Sequence, residues 1–341
     1  MVQLDEQLSA EDIAKLALNC NLRRIQCMRP MPDSLWIMLD NLFFRTRGDV
    51  ELRIYGHYSE ECDLQFLRHV GHVKRFSADC LMTARNLEAV AGLKDLELLG
   101  IGVFELRDFE LLRNIPEQLQ TLRLGPTRSG FLSLAPLERF RNLRTLYIEG
   151  HNKSIEVLSC LPLLEDVTLR SVTTSDLRYL APLEKLWSLD VKLGGIKSFA
   201  GIEGKSSIKY LELWQIRNLE NIDVISTLTG LQNLFLQSLP NVVRAPSVSD
   251  LGSLRRVVLQ NLKGLTDLSS LEMAPALEEF GLFEAKRQEP EIVLPVLQNP
   301  NVKFCDCWFG SDRKNARFSQ LCGKYAKHVP DRSLWEGFDY Q

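Results

Sequence analysis

Leu93-Lys94-Asp95-Leu96-Glu97-Leu98 decides the reading of this chain, because its L-x-x-L-x-L spacing returns with apolar substitutions along most of the length. Leu119/Leu122/Leu124, Leu143/Leu146/Ile148, Leu164/Val167/Leu169 and Leu186/Leu189/Val191 repeat it. Ile208/Leu211/Leu213, Leu231/Leu234/Leu236, Leu254/Val257/Leu259 and Leu277/Phe280/Leu282 continue the series. Weaker copies precede it at Leu22/Ile25/Cys27, Asp49/Leu52/Ile54 and Val73/Phe76/Ala78, and one follows at Val302/Cys305/Cys307. The thirteen middle residues run from Ile25 to Cys305 in steps of 20 to 27, with a mean of about 23. Self-similarity at a fixed period of this length is the mark of a repeat architecture.

Within each copy apolar and other residues alternate, as in a short strand with one face in and one out. One such unit cannot bury its apolar face alone, whereas stacked neighbours bury one another's. Between strands the spacing changes to three, as in Ile155, Leu158, Leu161 and Leu164, or Ile222, Ile225, Leu228 and Leu231. That spacing predicts 3₁₀ turns, in which side chains three apart eclipse. The ends need covers. Ser9 is placed to cap a helix with Ile13, Leu16 and Ala17 on one face, and Asp33 to start another with Leu35, Trp36, Leu39 and Leu42/Phe43 inward. Ser311 precedes Phe318, Leu321, Cys322 and Tyr325, spaced as on one helical face. The expected organisation is an N-terminal cap over 1–21, a solenoid over 22–310 and a capping helix with a tail over 311–341. The tail, with Trp335, Phe338 and Tyr340 in a polar background, either folds back or serves as a docking segment.

Repeats such as Asp176-Leu177-Arg178-Tyr179-Leu180-Ala181-Pro182-Leu183 resemble the short leucine-rich repeats of bacterial internalins and of the phosphatase-1 regulatory subunit. The resemblance covers about residues 85–310. It implies an α/β solenoid, a horseshoe with a parallel concave sheet of about 13 strands and a convex side of 3₁₀ and short helical pieces. That class places Asn three residues beyond the last strand leucine. Here the positions hold Pro30, His57, Leu81, Ile101, Thr127, His151, Val172, Gly194, Ile216, Leu239, Leu262, Ala285 and Gly310, and none is Asn. Apolar stacking is expected to hold the turns instead.

A formal charge of −3, mixed in sign along the chain, lacks the basic footprint of a nucleic-acid binder. No apolar run approaches the roughly 18–20 residues that span a bilayer. Asp5, Glu6, Glu11 and Asp12 precede any apolar stretch, unlike a secretory signal, so a cytoplasmic location is expected, with the eight cysteines as free thiols. Cys305 and Cys307 occupy inward strand positions and read as core. Gly204-Lys205-Ser206 lacks the first glycine and the strand–helix context of a phosphate loop. His69 and His72, with Cys62 nearby, fall short of a zinc ligand set, and the two histidines read as surface residues. No nucleophile or metalloprotease motif is present, so no catalytic residue, metal or cofactor is expected. The enzymatic alternative is a bacterial effector carrying a ubiquitin-ligase domain. Only 32 residues follow Phe309, which leaves no room for one.

The residues just before, just after and three after each middle position face the concave side. From the sixth repeat onward these include Tyr147, Tyr210, Trp214, Phe235, Phe283, Phe304 and Trp308, while the first five repeats offer only Tyr55. Glu149, Asp166, Asp190, Glu212, Glu279 and Asp306 outnumber Arg170, Lys192 and Arg256 over the later repeats. The earlier ones balance Arg24, Arg53, Arg75 and Arg123 against Glu51, Asp79, Asp95 and Glu97. Aromatics on a solvated sheet face are the material of interface hot spots. The expected function is therefore non-catalytic protein binding, as a scaffold, regulator or inhibitor such as a toxin's immunity partner. Tyr147, Asp190, Tyr210, Glu212, Trp214, Phe235, Phe283 and Trp308 are the expected contact residues, and the partner is expected to offer a basic or amphipathic surface.

Overall fold

The computed structural model describes residues 1–29, 31–56, 61–335 and 337–341. Among these, fourteen strands follow one another in chain order in a parallel sheet, from Val2–Gln3 to Phe304–Cys307. The chain forms two compact units, Met1–Leu164 and Glu165–Gln341, with seven of the strands in each.

In the second unit, identical registers stack the inward residues into two columns. One runs Leu189, Leu211, Leu234, Val257, Phe280, Cys305, and the other Val191, Leu213, Leu236, Leu259, Leu282, Cys307. All are buried, Cys305 and Cys307 included. A fully buried leucine or valine stabilises by about 1.5–3 kcal/mol over an exposed one, so each repeat is held chiefly by its neighbours. Short 3₁₀ turns return the chain behind the sheet, such as Glu110–Asn114 and Ile155–Cys160 in the first unit and Asp223–Thr227 in the second. Their apolar residues three apart, for example Ile155 and Leu158, point into the core.

Most strands end on a left-handed residue four beyond the middle position. Cys80, Ser171, Leu193, Gln215, Ser238, Asn261 and Glu284 have φ between 50 and 57°, and Gly56 and Gly150 do the same work as glycines. The next residue then turns inward. Val172, Ile216, Leu239 and Leu262 at that point are 0–3% exposed, as the lack of an Asn ladder predicts. His151 holds its turn by hydrogen bonds, with Nε2 3.0 Å from the Gly125 carbonyl oxygen and Nδ1 accepting from Leu132 N at 3.3 Å. Burial lowers its pKa, favouring the neutral ring. Pro30 and His57 lie outside the described residues.

A short strand, Val2–Gln3, pairs with Arg24–Cys27 ahead of the first repeat and brings the expected sheet of about thirteen strands to fourteen. One expectation needs correction. The copy at Leu93/Leu96/Leu98 is three residues out of register. The strand is Leu98–Val103, with Leu99 opposite Phe76 and Leu122, so the true copy is Leu96/Leu99/Ile101. Asp95 and Glu97 therefore lie ahead of this strand, Leu98, Gly100 and Gly102 take the outward positions, and Phe104 takes the place given to Ile101.

At the ends, the Ser9 side chain caps helix Ala10–Leu18 in a reciprocal box with Asp12. Helix Asp33–Leu39 buries Leu35, Trp36 and Leu39, and Phe43 follows them inward while Leu42 stays exposed. Ser311 caps Asp312–Lys324, whose Phe318, Leu321 and Cys322 are buried.

Candidate protein-binding face

In the second unit the sheet face turned away from the core brings together Asp190, Tyr210, Glu212, Phe235 and Phe283, carried by four of five successive strands. Lys192 Nζ bridges Asp190 Oδ2 at 3.2 Å and Glu212 Oε2 at 3.0 Å. Tyr210 Oη donates to Glu212 Oε2 at 2.9 Å. Burial, with the nearby Glu212 charge, pushes Asp190 up to about 6 despite Lys192. Burial and Glu212 likewise raise Tyr210 above the usual phenol range. Asp190 Oδ1 is buried without a hydrogen-bond partner among the described residues. The acidic character expected here is thus largely met by Lys192, and at Glu279 by Arg256 and Arg332, at 2.5 and 2.6 Å.

The chain's own C-terminal segment lies on this patch. Trp335 packs edge-on against Phe235 at 4.8 Å between ring centroids and lies 5.1 Å from Phe283. Leu334 joins Phe235 and Val258 in a buried cluster flanked by Tyr210 and Phe283. Tyr340 sits beside Trp187 and Tyr210, at 5.1 and 6.4 Å, and its hydroxyl accepts from Asn233 Nδ2 at 3.1 Å. Arg256 Nη1 donates to the Leu334 carbonyl at 2.9 Å, and Arg255 donates to the Asp339 carbonyl. Gln232 exchanges two hydrogen bonds with Gln341, at 2.8 and 3.0 Å. Four of the expected contact residues, Tyr210, Glu212, Phe235 and Phe283, therefore lie beneath or beside a segment of the same chain. Nothing periodic in 329–341 announces this docking. Trp214 remains half-buried with the Arg170 guanidinium 5.7 Å from its ring, and Trp308 is exposed beside Lys286.

Tyr147 belongs to the first unit, where the outward face holds a groove of about 670 Å³. Its floor is Gly100, Gly102 and Gly125. A Cβ on Gly125 would lie 2.9 Å from Gly102 Cα, and one on Gly100 would lie 2.5 Å from Ser77 Oγ, so side chains are excluded by close packing of neighbouring strands. Leu81, Met82, Phe104 and Pro126 form the apolar walls, with Phe104 41% and Met82 39% exposed. Here alone among the mid-sheet repeats the left-handed residue gives way, to Val103 and to Pro126, whose ring forbids positive φ. Phe104 stays out of the core. Asp79, Arg123, Tyr147 and Glu149 ring the groove. Asp79 is paired with Arg53 at 2.5 Å, Arg123 with Glu51 at 3.4 Å, and Tyr147 Oη donates to Glu149 at 2.6 Å. The groove is absent from the sequence-based expectation because the three-residue shift in register hides Gly100, Gly102 and Phe104 from the outward face.

The two histidines and the 204–206 stretch are held by local contacts. His69 and His72 each contact a carboxylate, Asp33 at 3.1 Å and Asp40 at 2.7 Å. Lys205 Nζ donates to the Ala181 carbonyl at 3.0 Å. Among the described residues no group of three or more His, Cys, Asp or Glu side chains is placed to hold a metal ion. No helix among them is long and apolar enough to cross a membrane.

Repeat, register and turn together define a leucine-rich-repeat solenoid. Among solved structures it is similar to an internalin from Listeria monocytogenes, at 16% identity and a TM-score of 0.58, over 84% of this chain and 79% of that one. It is also similar to a leucine-rich-repeat protein of Leptospira interrogans, at 15% identity and a TM-score of 0.50, over 95% and 86%. At such identities the likeness is one of fold. No protein-family model and no curated protein matches the sequence.

Proposed function

We propose that this chain is a non-catalytic protein-binding module that works through the outward face of its sheet, as a scaffold, regulator or inhibitor of the protein it holds. The observation that carries this reading is the open apolar groove beside Tyr147, with Phe104 and Met82 exposed at its rim. An exposed apolar recess ringed by internally paired charges is suited to an anchoring side chain, with the polar rim setting register. Trp214, Trp308 and Asp190 extend the contact surface on the second unit. Because Lys192 already bridges Asp190 and Glu212, the partner surface is amphipathic rather than strongly basic. The exposed thiols of Cys20 and Cys80 are in keeping with a reducing, cytoplasmic setting.

Partner capture by crosslinking to the full chain, followed by calorimetry on variants, tests the reading. Phe104→Ala and Trp214→Ala should each weaken binding by about 2 kcal/mol, while Arg53→Ala costs less. Binding that ignores both aromatic substitutions, or fails only with Arg53→Ala, refutes the assignment.

A further inference from the structure

The segment on the second unit's outward face fills it incompletely. An open cleft of about 680 Å³ remains beside it, lined by Glu212, Asn233, Gln237 and Gln260 from the strands and by Gly337 and Phe338 from the segment. The segment covers the face without closing it. Leu334 alone among the segment's described side chains is buried, and Trp335 stays 47% exposed although it touches two rings.

The sheet, by contrast, is shaped for what it holds. Arg256 is 1% exposed and aims Nη1 at a main-chain carbonyl, a contact that any residue at the Leu334 position could supply. Beneath it, Gly281 makes room for the leucine, since a Cβ there would come within 3.0 Å of Leu334 Cδ1. Phe235 and Phe283 flank the tryptophan. The Arg255 and Arg256 guanidiniums lie 4.7 and 4.8 Å from the Phe338 ring, and Trp187 and Tyr210 receive Tyr340. Main-chain capture plus side-chain pockets is how a surface reads an extended peptide.

We infer that the face formed by strands Tyr210–Trp214 to Glu279–Phe283 is a recognition groove for an extended protein segment in which leucine is followed by aromatic residues. Leu334 and the aromatic residues after it occupy the groove in cis until a partner segment of that pattern takes their place. This rests on the protein-binding reading above and adds the partner's chemistry. A tethered segment acts at millimolar effective concentration, so only a partner that matches the pattern well, or anchors elsewhere on the face as well, displaces it.

The probe is a fluorescein-labelled peptide of residues 330–341, titrated into the full chain and into the full chain carrying Leu334→Asp and Trp335→Ala, with anisotropy as readout. The substituted chain should bind the peptide at least tenfold more tightly than the unaltered chain. Adding Phe235→Ala, or placing the same two substitutions in the peptide, should remove that binding. If the substituted chain melts as cooperatively as the parent yet binds the peptide no better, the inference is overturned. Hydrogen exchange on the unaltered chain gives a second readout that needs no variant. Amides of residues 333–341 should exchange at least a hundredfold faster than those of Arg256–Gln260, and equal rates would mean the segment leaves only on unfolding, which also overturns it. A partner that binds the unaltered and substituted chains equally, and is lost with Phe104→Ala, leaves the protein-binding reading standing and overturns this one.

Discussion

Asp190 shows what a single outward residue costs. Its carboxylate is largely buried, one oxygen is without a hydrogen-bond partner among the described residues, and its pKa rises from 3.8 to about 6, through burial first and then Glu212. Between those two values the folded chain holds a proton that the unfolded chain has released. Stability therefore falls as pH rises through that window, and the full penalty is present above about pH 6. Asp190→Asn removes the charge but keeps the shape, and Lys192 retains Glu212 at 3.0 Å. The variant should be more stable than the parent by roughly 1–2 kcal/mol at pH 7.5, with the difference shrinking toward pH 4. Urea melts at pH 4, 5.5 and 7.5 measure it; a parent that gains on the variant as pH rises would show that the Lys192 bridge outweighs the burial. The column position of Asp190 is legible in the sequence, since strand alternation places it. Its pairing with Lys192, two residues further along the same strand, is not, because alternation fixes the face and leaves side-chain reach open.

At the scale of the repeat, the recurring feature is the left-handed residue after each strand. Non-glycine residues adopt that conformation at a cost of about 1–2 kcal/mol, and the solenoid accepts it because the following residue is thereby buried. Gln215 has φ of 50° and an exposed side chain. Gln215→Gly should therefore raise stability by about 0.5–1 kcal/mol, the relief of strain exceeding glycine's extra freedom in the unfolded chain. A lowered melting temperature in calorimetry would mean that the position is not strained. The same repeat logic explains where the sequence misled. Leu93/Leu96/Leu98 and Leu96/Leu99/Ile101 both satisfy the pattern, as four leucines crowd into the seven positions 93–99. Step length separates them, since Phe76 to Leu99 and Leu99 to Leu122 are both 23, against 20 and 26 for the other choice. Spacing could have placed Gly100 and Gly102 on the outward face and pointed to the groove. The tail offered no comparable signal, because its leucine and aromatics follow no period and gain meaning only from the surface that receives them.

For the whole molecule, stability in a solenoid is close to a sum of repeats and the interfaces between neighbours, so damage in one repeat is felt most strongly nearby. Leu239 is completely buried at a turn in Glu165–Gln341. An Asn there places an amide among apolar neighbours and removes leucine packing, at a cost of about 2–5 kcal/mol. Four of the five tryptophans, Trp187, Trp214, Trp308 and Trp335, belong to that unit and only Trp36 to Met1–Leu164, so tryptophan fluorescence follows the second unit while far-ultraviolet circular dichroism follows both. In Leu239→Asn the fluorescence midpoint in urea should drop further than the dichroism midpoint, and the dichroism curve should broaden or split. Coincident midpoints shifted by the same amount would show that the chain unfolds as one cooperative body, with loss at one turn shared by all fourteen strands.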